Sequence, residues 1–77
     1  MLQLKNIRIE NGMAEADFYP EDSKTAGHIV VDLKNEMVVF CESVPGFGES
    51  YVGHAKLHLI KMAKQKITAT ERLVMWY

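Results

Sequence analysis

The chain has 77 residues, 48% apolar and 25% charged, with a net charge of −1 and a single cysteine. That is enough apolar side chain to offset the entropy of ordering one domain, so a disordered chain is excluded, and a lone thiol excludes a disulfide-stapled scaffold. A domain this small buries only about 60% of the surface its unfolded chain exposes, so the core is marginal and the fate of every apolar face matters.

Charge is unevenly spread. Residues 1–50 hold nine acids and four bases, a balance of −5, whereas residues 51–77 hold five bases and one acid, a balance of +4. A basic end can serve a polyanion, although Lys61, Lys64 and Lys66 also fall where a helix C-terminus favours cations. The N-terminus alternates (Met1-Leu2-Gln3-Leu4-Lys5) instead of forming a signal-peptide run. The longest apolar runs, 37–41 and 73–77, have five residues each, against the roughly 20 that cross a bilayer. The expectation is a cytoplasmic domain spanning residues 1–77, with no membrane association.

In chain order, the first signal is Asn11-Gly12, the preferred pair for a two-residue turn in which both residues need positive φ. The register that follows sets Glu10 against Met13, Ile9 against Ala14, Arg8 against Glu15 and Ile7 against Ala16. Ile7, Ile9, Ala14, Ala16 and Phe18 then share one face. Leu2 and Leu4 are out of phase with Ile7 and Ile9, which predicts a bulge or a strand start near Asn6. The stretch 19–24 reads as a loop, with Pro20 ending the second strand. A second hairpin runs from Gly27–Leu33 through Lys34-Asn35-Glu36 to Met37–Cys41, in a register the residues leave open. Its outgoing strand alternates Ile29, Val31 and Leu33 against His28, Val30 and Asp32. Its return strand is apolar in both directions, the pattern of a strand covered on both faces.

After the loop 44–49, Ser50 is a candidate N-cap and 51–66 has helical periodicity, with Val52, Ala55, Leu59, Met62 and Ala63 within an arc of about 100° and Ile60 just outside it. Leu57 is stranded among lysines. Residues 72–77 are rich in β-formers and predict a last strand. The fold class is therefore α+β, an antiparallel sheet of about five strands in the order β-β-β-β-α-β with one amphipathic helix on one face.

Signals for chemistry are sparse. His54 and His58 lie four apart, as in helical zinc sites, but no carboxylate stands between Ser50 and Lys66. A third ligand would have to come from the sheet, such as His28, Cys41 or Glu42; a solvated polar helix face is the simpler reading. Cys41 ends an apolar strand, where free cysteine behaves as a small hydrophobe. Gly46-Phe47-Gly48-Glu49-Ser50 precedes a helix but lacks the lysine-serine pair of a phosphate loop, and Glu49 would repel the anion. Lys56, Lys61 and Lys64 are the candidates for contact with nucleic acid. No cofactor is implied.

One helix shields one sheet face, so apolar residues on the other side, and Leu57, predict a partner. The expected function is that of a non-catalytic interaction domain that self-associates, as a dimer in the first instance, and binds a protein. Its candidate contacts are Val30, Val39, Leu57, Trp76 and Tyr77. The alternative is a metal-dependent or nucleic-acid-binding module using the His54/His58/Lys61 face of the helix.

Overall fold

The computed structural model describes residues 1–75, and in it Asn11 and Gly12 both adopt positive φ (52° and 76°), closing a hairpin between β1 (Leu2–Glu10) and β2 (Met13–Pro20). The pairs Glu10–Met13, Ile9–Ala14 and Arg8–Glu15 follow the register that the turn dictates. The next pair is Lys5–Asp17, so Asn6 and Ile7 share the space opposite Ala16. This is the bulge that the phase slip foretold, and it replaces the simple Ile7–Ala16 pair expected from the turn. Asn6 takes the left-handed conformation (φ 54°) and its side-chain amide donates to Asp17 Oδ2 at 2.8 Å. The extra residue returns Leu2, Leu4 and Ile7 to one face, where all three are buried, and sends Lys5 and Arg8 to the other.

β2 continues through Pro20, which pairs with Leu2. Proline is tolerated there because β3 (Gly27–Asp32) stops pairing at Gly27 opposite Phe18, so no neighbour awaits an N–H on that side. Asp32 builds the second turn: its carboxylate accepts from the backbone N–H of Lys34 (2.9 Å) and from the Asn35 side chain (2.8 Å). The strand ends there, one residue before the predicted limit, and Leu33 enters the turn. β4 (Met37–Glu42) then pairs with β3.

α1 (Glu49–Lys64) crosses the sheet to β5 (Arg72–Val74), giving the strand order β4-β3-β2-β1-β5 with every pairing antiparallel. β5 pairs Val74 with Leu2 and Arg72 with Leu4. Just before it, the Thr70 carbonyl accepts from the N–H of Ile7 at the bulge (2.9 Å). The expected last strand thus exists, although the part assigned to Trp76 and Tyr77 lies outside the described residues.

The helix begins earlier than expected. Gly48, extended and without a side-chain cap bond, holds the N-cap position, and Ser50 lies inside the first turn. Glu49 in that turn favours the positive end of the helix dipole, and Phe47 packs edge-to-face on Tyr51 at 5.5 Å. At the other end Lys66 is left-handed (φ 56°). The N–H of Lys66 donates to the carbonyl of Ala63, and that of Ile67 to the carbonyl of Met62. This is a Schellman closure with lysine where glycine is usual.

The core is the face of the sheet beneath the helix, where Phe18, Leu4 and Ile29 meet Leu59 and Met62. Ile60, at the margin of the predicted stripe, is also buried. Ala14 and Ala16 of the central strand β2, with Ala55 of the helix, keep the two layers close. Among the described residues no polar or charged residue is buried.

Candidate functional site

Strand alternation sends the second set of side chains to the face away from the helix, where the registers align them in rows across the sheet. One row reads Arg8, Glu15, Val30, Phe40; the next reads Lys5, Asp17, His28, Glu42; a third reads Glu10, Met13, Asp32, Met37. The open face therefore changes character from β1 to β4. Its centre is charged. Its β4 end carries the exposed apolar residues Phe40 and Met37, with Glu42 beyond them.

The charged centre is a network around His28. Its Nδ1 lies 2.7 Å from Asp17 Oδ1 and its Nε2 3.2 Å from Glu15 Oε2. Arg8 completes the chain of charges, 3.3 Å from Glu15 and 2.8 Å from Glu10. The hydrogen bond to Asp17, reinforced by Glu15, holds the His28 pKa above its ordinary value against the opposing effect of burial. The bond from Asn6, and then that of His28, holds the Asp17 carboxyl below its own. With a carboxylate on each ring nitrogen, His28 is arranged as a strut between β2 and β3 that favours its protonated form. It has no free ring nitrogen to serve as a base for a nucleophile.

The Phe40 ring lies 6.2 Å from His28, tilted by 59°, and opens the apolar end of the face. Met37, Val39 and Phe40 are 60%, 56% and 52% exposed, and Val30, behind Phe40 in its row, is half-buried. β4 is thus an edge strand with one open face, and not the doubly covered strand that its composition predicts. A second bulge blunts this edge: Val31 pairs with Val38 and Val30 with Phe40, leaving Val39 as the extra residue.

The predicted contact residues do not form one surface. Val30 and Val39 belong to the open face and its edge. Leu57, 59% exposed, stands on the outer side of the helix, across the molecule from them. Trp76 and Tyr77 lie outside the described residues. Met37 and Phe40, two of the three exposed apolar residues of the patch, were missed; the signal that locates them is the register of the second hairpin, which puts Phe40 opposite Val30.

The helix candidates are also resolved individually. His58 Nδ1 is buried without a hydrogen-bond partner, and burial, then Arg72 and Lys61, push the His58 pKa down. His28 and Glu42 sit on the far face of the sheet, so neither reaches His54 or His58. Cys41 is half-buried and pairs with Ile29 on the helix side. Among the described residues no three His, Cys, Asp or Glu side chains converge as metal ligands. Lys61 is exposed, Lys56 is half-buried, and Lys64 pairs with Glu36 at 3.2 Å. A cleft of about 360 Å³ between β1 and the end of the helix is lined by Ile7, Ile9, Met62 and Ile67, with Lys66 as its charged residue.

No family model, curated protein or solved structure matches the chain. Among the described residues no helix is long and apolar enough to cross a membrane.

Proposed function

We propose that this domain is a non-catalytic interaction module that self-associates, in its simplest form as a pair of copies, and docks a protein partner through the β4 end of its open sheet face. The observation that carries the reading is the exposure of three apolar residues on one short strand, Met37, Val39 and Phe40, with Val30 paired to Phe40 and the charged network of His28, Glu15 and Asp17 alongside. An apolar centre inside a polar rim is the anatomy of an interface. Burying the remaining half of Phe40 is worth about 1 kcal/mol, taken as half the value of a fully buried aromatic side chain. The lone Cys41 thiol fits a reducing compartment, which supports a cytoplasmic location for the module.

The test is solution mass by light scattering over a wide concentration range, for the wild type and for Phe40→Glu. The expected result is a wild-type mass that rises above one chain with concentration and a variant that stays at one chain. A wild type that remains monomeric at the highest concentration reached would remove the proposal.

A further inference from the structure

We infer that a second copy docks head-to-tail: the outer helix surface around Leu57 of one copy sits on the open sheet face around Phe40 of the next. The inference rests on the self-association proposed above and specifies its geometry.

Charge decides between the possible arrangements. The open face carries Glu10, Glu15, Asp17, Asp32 and Glu42 against Lys5 and Arg8, five acids less two bases, a balance of −3 with His28 neutral and −2 with it protonated. The outer helix surface is the reverse. Leu57 shares the outer surface with Lys61 and Lys64, one and two turns on, while Lys56 is half-buried at its margin, and the helix has no acid after Glu49. Lys64 is shared with Glu36 of its own chain; Lys61 is exposed and has no ion pair of its own among the described residues. Sheet face against sheet face would oppose two acidic surfaces, and helix against helix two basic ones, each an unfavourable encounter. Sheet against helix matches opposite charge and sets an exposed leucine against an exposed phenylalanine and methionine.

The two surfaces lie on opposite sides of one two-layer domain, so a contact of this kind leaves one unfilled face at each end. It is heterologous, and it extends a row of copies where a two-fold contact would stop at two.

The test uses the full chain and two substitutions at exposed positions, Leu57→Glu and Phe40→Glu, each removing one face. The wild type is expected to grow past two copies with concentration. Raising ionic strength from 0.1 M to 1 M should weaken it severalfold, because the screening length falls from about 10 Å to about 3 Å. Each variant alone should associate roughly tenfold or more weakly. An equimolar mixture of the two should form a one-to-one dimer and stop, since the intact sheet face of Leu57→Glu meets the intact helix face of Phe40→Glu. Met37→Glu and Lys61→Glu remove the same two faces through other residues and replace either variant that fails to give a wild-type circular dichroism spectrum. A Leu57→Glu protein that assembles like the wild type, or a mixture that stays monomeric, overturns the head-to-tail geometry while leaving self-association in place. A monomeric wild type overturns both. Binding of the helix face to a nucleic acid without any growth in mass would also overturn it.

Discussion

Gly27 is the position where the structure makes its most demanding claim about a single methyl group. It is buried, lies directly opposite Phe18 on β2, and is covered by that ring. A Cβ built there would stand 2.5 Å from the Glu42 carbonyl oxygen and 2.6 Å from Phe18 Cε1, and closer still to Phe18 Cζ. Its backbone is not left-handed, so alanine would gain about 0.5–1 kcal/mol from the lower entropy of the unfolded chain if space allowed. Space does not allow it. The neighbours are a ring locked in the core and a backbone oxygen of the adjacent strand, and overpacking of this kind costs about 1–3 kcal/mol, sometimes more. Gly27→Ala should therefore destabilise by about 2 kcal/mol net, a large share of the roughly 4–12 kcal/mol expected for a chain of this length. Urea unfolding followed by circular dichroism reads this directly. With a slope near 1 kcal/mol/M, typical of small domains, the midpoint should fall by about 2 M at unchanged slope. Trimming the ring supplies the control. In the pair Gly27→Ala with Phe18→Leu the costs should be less than additive by about 1 kcal/mol, because the smaller side chain vacates the space that the new methyl needs. A Gly27→Ala protein as stable as the wild type would refute the packing argument, and strict additivity would refute the part assigned to the ring.

Two further outcomes follow from the same geometry. Lys66→Gly should stabilise the domain by about 0.5–1 kcal/mol in the same assay: a left-handed lysine costs about 1–2 kcal/mol, and losing its charge at the helix C-terminus returns some of that; an unchanged midpoint would contradict it. The two perturbed histidines should pull stability in opposite directions with pH. His28 has a folded pKa raised above its ordinary value near 6.5, so its contribution is fully present below that value and is lost as pH rises through the folded pKa. His58 has a folded pKa lowered by burial, so its contribution is present above 6.5 and is lost as pH falls through the folded pKa. Thermal melts across this range should therefore show His28→Gln losing the decline on the alkaline side and His58→Gln losing the decline on the acid side; the same profile for both variants would exclude the assignment.

Much of this architecture was legible locally. Asn11-Gly12 dictates a hairpin because both turn residues need positive φ, and the register of Glu10, Ile9 and Arg8 follows from the loop length alone. The phase slip between Leu4 and Ile7 marks the bulge, since a two-residue period can be reset only by an extra residue. The helical stripe, the final strand and the element order follow from periodicity in the same way. Of the candidate site, Leu57 was readable as an apolar residue without cover, since helical periodicity strands it among lysines.

Four features were decided only by the tertiary structure. β5 pairs with β1 and not with β4, and pairing between distant segments leaves no mark in either segment. That choice makes β4 an edge, so a strand composed like a covered one exposes Met37, Val39 and Phe40. The same sheet order carries Asp17, Glu15 and His28 into one network from strands whose sequences give no hint of it. It also places Leu57 and Phe40 on opposite sides of the molecule. Local patterns fix which way each side chain points from its own element; only the assembly of elements fixes what stands next to it, because that depends on which backbone edges meet.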